Sequence, residues 1–317
     1  MSDLAFIFPG QGAQFVGMGK ELADAFPSAK AVFDEIDSVL GQSLTSIMWE
    51  GPENELTLTS NTQPALMSVS VAVMRALEAE FGISVEAARF VAGHSLGEYS
   101  ALCASGALSL SDAAKLLRIR GDAMQAAVAP GVGAMAALLG ADPDQAKAAC
   151  DAGMAAADGT CEIANDNAPG QIVLSGAAAA IEAACVFARE NGVKKAVPLS
   201  VSAPFHCSLM QPAADAMQAA LADAVISAPR VPLMANVSAA ATSDPDTIRS
   251  QLVDQVTGQV RWRESVVAMH EAGVLRTAEA GAGKVLTVMN RRTVRELKGI
   301  TLGAPADLEA FAAELNG

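Results

Sequence analysis

The sequence predicts an α/β protein whose body contains a parallel sheet and whose middle carries an inserted subdomain. Short apolar runs at 4–8 and 88–92 are each followed by a loop and a helix, an alternation typical of parallel sheets. Segment 130–198 instead has the order β-α-β-β-α-β, which is typical of a ferredoxin-like unit. The expected division of the 317 residues is a body of 1–129 and 199–317 and a subdomain of 130–198.

Local patterns place the elements of the body in order. The first apolar run is a buried strand stopped by Pro9-Gly10, and the second is a strand that ends at Gly93, with a helix beginning near Leu96. Apolar residues at a spacing of 3–4 predict further helices. These helices run from the first glycine-rich loop to residue 40 and over 63–81, 110–127 and 264–272.

The middle segment follows with strands and helices of its own. Its predicted strands are 134–139, 161–164, 171–175 and 195–201, and its predicted helices are 142–152 and 177–191. The polar stretch 165–170 between the two central strands predicts a turn.

Composition excludes several classes of function. Hydrophobic residues make up 51% and charged residues 18%, which allows a large core and excludes global disorder. A net charge of −14 would repel a phosphate backbone, so no nucleic-acid partner is expected. The N-terminus lacks the features of a signal peptide, and no apolar stretch reaches the roughly 18 residues that a membrane span needs.

The five cysteines are scattered and odd in number, and they form no CxxC pair. This usage predicts a reducing cytoplasmic setting and no metal site.

The segment Gly93-His94-Ser95-Leu96-Gly97 predicts a nucleophilic serine. Glycines on either side of Ser95 let a tight strand-to-helix turn bend and project the hydroxyl. The helix N-terminus that follows offers free N–H groups for an oxyanion. A serine that only caps the helix is the alternative, and the strand before the motif favours the nucleophile.

A serine nucleophile needs a base, and the chain has three histidines. His94 adjoins Ser95, and its side chain is expected to point away from it. His270 lies near the end of a predicted helix, where a cation interacting with the helix terminus is the favoured role. His206 follows strand 195–201 in a loop, where α/β proteins place their chemistry, so we predict that His206 is the base.

No third member of a triad is evident. Asp254 is a candidate by sequence proximity alone, and a backbone carbonyl is the alternative partner of His206. In α/β-hydrolases the histidine comes late in the chain, whereas residues 207–317 follow His206. This position argues against a hydrolase.

Arg120 occupies an apolar helical stripe with Ala113, Leu117 and Met124. A guanidinium there needs an anion because its desolvation is costly. Two partners remain open: a buried Asp or Glu, or the carboxylate of a dicarboxylic acyl substrate.

Several motifs in this order resemble those of the malonyl-CoA:acyl carrier protein transacylases, the acyltransferases of bacterial fatty acid synthesis. The resemblance covers nearly the whole chain. The motifs are Phe8-Pro9-Gly10-Gln11-Gly12-Ala13-Gln14, Gly93-His94-Ser95-Leu96-Gly97-Glu98, Ile119-Arg120-Gly121, Asn167-Ala168-Pro169-Gly170-Gln171, Ala203-Pro204-Phe205-His206, Gln251-Leu252-Val253 and Val260-Arg261-Trp262.

The resemblance implies a hydrolase-like α/β body and a role for each matching residue. Ser95 would attack the malonyl thioester while His206 takes its proton, and the backbone N–H groups of Gln11 and Leu96 would form the oxyanion hole. Arg120 would bind the malonyl carboxylate. The phosphopantetheine thiol of an acyl carrier protein would then accept the malonyl group in a ping-pong reaction without any cofactor or metal.

Three further residues are implied to contact the substrate. A main-chain carbonyl near Gln251 would orient His206, and Asn167 is expected among the substrate-binding residues. Phe205 resembles the residue that malonyl-selective relatives carry before the histidine, although a ring there can also be simple packing.

An acidic carrier protein would need a basic patch on this acidic chain. Segment 261–298 holds eight basic and four acidic residues, and Arg291 and Arg292 are its predicted docking residues. An ordinary solvated helix face is the alternative. The enzyme is expected to be a monomer.

Three functions compete at this point. The first is the transacylase, serving fatty acid synthesis or, alternatively, polyketide synthesis. The second is a serine hydrolase such as a thioesterase, which Arg120 and the early position of His206 disfavour. The third is a carrier-protein docking module with a vestigial site, which the intact Ser95, His206 and Arg120 disfavour.

Overall fold

The computed structural model describes residues 2–316, which form two β-sheets surrounded by α-helices and confirm the α/β class. The strands are β1 (Leu4–Phe8), β2 (Phe90–Gly93), β3 (Gly133–Leu139), β4 (Cys161–Ala168), β5 (Gln171–Ala177), β6 (Lys195–Pro198), β7 (Leu233–Met234), β8 (Ala241–Thr242), β9 (Arg276–Ala280) and β10 (Lys298–Leu302).

The helices surround both sheets. They are α1 (Lys20–Ala25), α2 (Pro27–Leu40), α3 (Leu44–Glu50), α4 (Glu53–Thr57), α5 (Thr59–Phe81), α6 (Gly97–Ala104), α7 (Leu110–Ala126), α8 (Pro143–Ala156), α9 (Ala178–Glu190), α10 (Gln211–Asp223), α11 (Pro245–Thr257), α12 (Trp262–Glu271), α13 (Val285–Thr293) and α14 (Pro305–Asn316), with short 3₁₀ turns at Val85–Ala87 and Ser208–Met210.

The larger sheet has the strand order β10-β9-β1-β2-β7-β8, and all its neighbouring strands are parallel except β7 and β8. Strand β1 is central, and all five of its residues are buried, as expected for a strand covered on both faces. The carboxyl ends of β1, β2 and β7 lie side by side at one edge. Parallel α/β sheets place their functional groups at this edge.

The smaller sheet has the order β4-β5-β3-β6 and is antiparallel throughout. Helices α8 and α9 pack against each other and against its strands, and they bury a separate apolar cluster. The sequence order β3-α8-β4-β5-α9-β6 is the order expected for a ferredoxin-like unit. The division into domains at residues 130 and 198 stays a prediction.

The predicted bounds of two segments of this smaller sheet were wrong. The predicted turn 165–170 is only Pro169-Gly170, because β4 continues through the polar residues as far as Ala168. Asp166 pairs with Arg263 and Asn167 with His94, so contacts with the body replace the turn that these residues favour by themselves. The predicted strand 195–201 ends at Pro198. Beyond it the chain makes one more bond to β3, from the Leu199 N–H to the Met135 carbonyl, and then turns on itself, because the Val201 N–H donates to the Leu199 carbonyl.

The predicted helix 63–81 begins four residues earlier, at Thr59. Its first turn is polar but buried, and its side chains bond to the preceding backbone: Asn61 donates to the Glu55 carbonyl and Thr62 to the Leu56 carbonyl. Helix α7 packs closely on this turn, since a Cβ at Gly121 would lie 2.6 Å from the Ser60 Cα. The close approach brings Arg120, the residue before Gly121, towards Gln63 of α5.

Candidate active site

Ser95 lies on a sharp turn between β2 and α6. Its φ of 53° is in the left-handed region, which is strained for a residue with a side chain. The turn is possible only with glycines around it, because a Cβ at Gly93 would lie 1.9 Å from the Gly97 carbonyl and one at Gly97 would lie 2.4 Å from the Phe8 carbonyl oxygen. This geometry is that of a nucleophile elbow.

Asn236, which follows β7, holds the elbow from the neighbouring strand. Its Oδ1 accepts a 2.8 Å hydrogen bond from the Ser95 N–H, and its Nδ2 donates to the Gly93 carbonyl at 2.7 Å. Both atoms are buried, so these bonds stabilise the strained turn in a region of low dielectric.

His206 lies beside Ser95, as its position in the chain predicted. The Ser95 Oγ and the His206 Nε2 are 2.8 Å apart, and the His206 Nδ1 is 2.8 Å from the Gln255 carbonyl oxygen. The Gln255 carbonyl can only accept a hydrogen bond, so Nδ1 carries the ring proton, and the neutral ring has a lone pair on Nε2 for the serine proton. Burial and then the positive charge of Arg120 lower the pKa of His206 to about 3, which keeps the ring neutral near pH 7.

The carbonyl that orients His206 belongs to Gln255 and not to Gln251, which corrects the sequence-based expectation by one helical turn. The side chain of Gln251 instead donates to Ser238. Asp254 is exposed, so it is not the third member of a triad.

Arg120 is 1% exposed and projects from α7 towards Ser95. One of its terminal nitrogens donates to Gln63 Oε1 at 2.8 Å, and the other donates to Gln255 Oε1 at 2.9 Å and to Ser95 Oγ at 3.2 Å. These partners are neutral, and none of the ion pairs formed within residues 2–316 includes Arg120. The guanidinium therefore keeps a positive charge directed at the nucleophile without a direct carboxylate partner.

Ser95, His206 and Arg120 open on one cavity of about 130 Å³. Gln11 and Leu96 lie on its wall at the ends of β1 and β2, and neither backbone N–H donates to another group of residues 2–316. The rest of the lining is mostly apolar. It consists of Gln63, His94, Met124, Met135, Asn165, Leu199, Val201 and Phe205.

Comparison with known proteins agrees with this geometry. Residues 5–308 match the acyl transferase domain family. The malonyl CoA-acyl carrier protein transacylase of Bacillus subtilis is 46% identical over 309 residues, which cover 98% of this chain and 96% of that protein. The chain belongs to the acyltransferase family.

Solved structures of acyltransferases share the whole fold. The crystal structure of an acyl-carrier-protein S-malonyltransferase from Bartonella henselae has a TM-score of 0.97 and 53% identity, with 100% of both chains covered. A malonyl-transacylase in complex with a type II polyketide synthase acyl-carrier protein has a TM-score of 0.94 and 38% identity, covering 99% of this chain and 100% of that one.

Other predicted residues of this acyltransferase lie outside the cavity. The Asn167 side chain is 2.8 Å from the His94 ring, which also packs on Trp262, so Asn167 holds the residue next to the nucleophile. Arg292 donates to Gln171 and to the Pro169 carbonyl, and Arg291 is exposed on the same helix, α13. Their roles in binding substrate and carrier protein stay predictions.

Four polar residues around the nucleophile were not predicted from the sequence: Gln63, Glu98, Asn236 and Gln255. Each is buried, and burial raises the pKa of Glu98 to about 8. A faint signal existed for Glu98, because it is the only charged residue between Arg89 and Asp112, and a charged side chain in such a stretch needs a partner.

Residues 2–316 contain no cluster of three or more His, Cys, Asp or Glu side chains arranged to hold a metal ion. None of the helices within the same residues is long and apolar enough to span a membrane.

Proposed function

We propose that this acyltransferase moves the malonyl group from malonyl-CoA to the phosphopantetheine thiol of an acyl carrier protein, through a malonyl ester on Ser95. The observation that carries the proposal is the convergence of three groups on one cavity. The Ser95 hydroxyl is 2.8 Å from a neutral imidazole and 3.2 Å from a buried guanidinium. A nucleophile, its base and a cation for a second carboxylate are what malonyl transfer requires.

In the first half-reaction, Ser95 Oγ attacks the thioester carbonyl while His206 Nε2 takes the hydroxyl proton. The developing oxyanion accepts hydrogen bonds from the backbone N–H groups of Gln11 and Leu96. The C–S bond then breaks, and the protonated His206 returns the proton to the leaving CoA sulfur.

In the second half-reaction, the same groups act in reverse. The carrier thiol gives its proton to His206 and attacks the Ser95 ester, and the serine oxygen leaves with the proton that His206 returns. The bond from His206 to the Gln255 carbonyl keeps the ring oriented through both steps.

Arg120 supports malonyl as the acyl group. Its charge is buried next to Ser95 and lacks a direct anionic partner, so a substrate carboxylate would supply the missing counter-charge. The mostly apolar wall, including Phe205, leaves room for one short acyl group beside the guanidinium.

The proposed partners are malonyl-CoA and an acyl carrier protein, with Arg291 and Arg292 of α13 as docking residues. Relatives whose names specify malonyl transfer to acyl carrier protein support this assignment over 98% of the chain. We place the enzyme in the cytoplasm as a monomer of fatty acid synthesis. A role in polyketide synthesis is the second candidate, because one similar structure was solved with a polyketide carrier protein.

Intact mass spectrometry after brief exposure to malonyl-CoA tests the proposal. We expect a mass gain of one malonyl group that maps to Ser95, persists in water and disappears when carrier protein is added. Ser95→Ala should show no gain. Prompt release of malonate without a carrier protein would identify a thioesterase instead.

A further inference from the structure

Behind the Ser95–His206–Arg120 site lies a second layer of buried polar groups. Glu98 is on the first turn of α6, three residues after the nucleophile, and is 1% exposed. Gln255 is on α11 and is fully buried. The mechanism above uses the main-chain carbonyl of Gln255 but neither of these two side chains.

The Gln255 carboxamide contacts three groups at once. Its Oε1 accepts from Arg120 at 2.9 Å, and its Nε2 donates to the Ser95 carbonyl at 3.0 Å and to Glu98 Oε2. The other oxygen of Glu98 accepts from the Asn236 N–H at 2.6 Å. The carboxylate is therefore bonded on both oxygens.

Only one orientation of the carboxamide satisfies these neighbours. A guanidinium has only donors, the Ser95 carbonyl has only lone pairs, and both oxygens of Glu98 accept hydrogen bonds here. A reversed carboxamide would direct its NH₂ group at Arg120 and its oxygen at Glu98 and Ser95. Glu98 and the Ser95 carbonyl together thus fix which end of Gln255 faces the guanidinium.

We propose that Glu98 is a positioning residue for acyl-group selection: through the Gln255 carboxamide, it holds Arg120 in place to receive the carboxylate of the acyl group. The inference rests on the proposed malonyl transfer.

This arrangement also explains how Arg120 remains buried without a direct ion pair. The ionised fraction of Glu98, whose pKa burial raises to about 8, supplies a negative charge near Arg120, and the intervening amide, which accepts from one group and donates to the other, keeps the two groups apart. A direct ion pair would occupy donors that the substrate needs. With the amide between them, the second terminal nitrogen of Arg120 stays directed at Ser95.

Glu98→Gln tests the proposal, because it keeps the side-chain size and replaces one acceptor with a donor. Either the Asn236 N–H or the Gln255 Nε2 then faces an NH₂ group, and in the second case Gln255 loses one of the two acceptors that fix its orientation. We expect the ratio of kcat/KM for malonyl-CoA to that for acetyl-CoA to fall roughly 10- to 100-fold, through a raised KM for malonyl-CoA. Removal of the Glu98 charge, which is fully present only above its pKa of about 8, would by itself raise that ratio.

Glu279→Gln is the matched control. Glu279 is also a buried carboxyl that accepts from backbone N–H groups, those of Leu286 and Thr287, but it lies outside the cavity. We expect this variant to keep the malonyl-to-acetyl ratio of the parent enzyme. In the Arg120→Ala background, Glu98→Gln should cause no further fall in the ratio, because the two residues act through one contact.

Gln255→Met, which keeps the carbonyl that orients His206, should reproduce the loss of preference if Glu98→Gln fails to fold. An unchanged or increased malonyl-to-acetyl ratio in a folded Glu98→Gln variant would overturn the proposal. A crystal structure of that variant gives a test without substrate, in which Gln255 should have left Arg120. If the parent enzyme forms no malonyl adduct, the proposed function fails, whereas the crystal structure still decides the positioning role.

Discussion

Replacement of Arg120 by alanine should cost this acyltransferase its preference for malonyl over acetyl groups. The guanidinium is 1% exposed, and one of its nitrogens lies 3.2 Å from the nucleophile oxygen. A malonyl carboxylate in the cavity would bond to a charged donor that solvent does not screen. An acetyl group has a methyl group in place of the carboxylate and cannot form this bond.

The magnitude follows from the contact that is lost. A charge-assisted hydrogen bond in a desolvated site is worth roughly 2–4 kcal/mol, which corresponds to roughly 30- to 1000-fold in the ratio of kcat/KM values. The alanine variant also leaves the oxygens of Gln63 and Gln255 without a donor. That loss lowers the free energy of unfolding but affects both substrates alike.

The assay compares formation of acyl-Ser95 from malonyl-CoA and from acetyl-CoA by intact mass. Arg118→Ala is the matched control, since Arg118 lies on the same helix but donates to Gln42 and Asn61 away from the cavity. We expect this control to keep the preference. An equal fall of malonyl and acetyl transfer in Arg120→Ala would show that Arg120 is only structural.

Three other predictions concern the base, the elbow and the carrier surface. Because the pKa of His206 is lowered to about 3, the rate of malonylation should fall only at a pH well below the usual histidine pKa. Arg120→Ala removes a positive charge that contributes to this lowering. The acid limb of the variant's pH–rate profile should therefore move to higher pH. Gly93→Ala should abolish malonyl labelling of Ser95 and lower the melting temperature, because its Cβ would lie 1.9 Å from the Gly97 carbonyl. A fully active variant would refute the elbow geometry. Reversal of charge at Arg291 and Arg292 should slow transfer to carrier protein more than acylation by malonyl-CoA in single-turnover measurements, and equal slowing of the two would exclude docking there.

The nucleophile, its base and the guanidinium could be recognised in the sequence because each carries a local signal. Ser95 stands between two glycines at a strand-to-helix junction, His206 is one of only three histidines, and Arg120 interrupts an apolar stripe. The family resemblance was confirmed by relatives that match nearly the whole chain.

The supporting contacts could not be recognised in this way. Asn236 bonds to Ser95 across 141 residues of sequence, and Gln255 bonds to Glu98 across 157. Which carbonyl of α11 faces His206 depends on how that helix is rotated against the elbow, and this rotation placed Gln255 there rather than Gln251.

The sequence by itself determined the α/β class, the elbow and the residues that we propose as reacting groups, since these depend on local periodicity and on residue types with few alternatives. Only the tertiary structure decided which groups surround Arg120. Both partners left open by the sequence were charged groups in direct contact. In the folded chain, the neutral Gln255 carboxamide lies between Arg120 and Glu98, because packing of α7, α6 and α11 brings these distant residues into one buried layer.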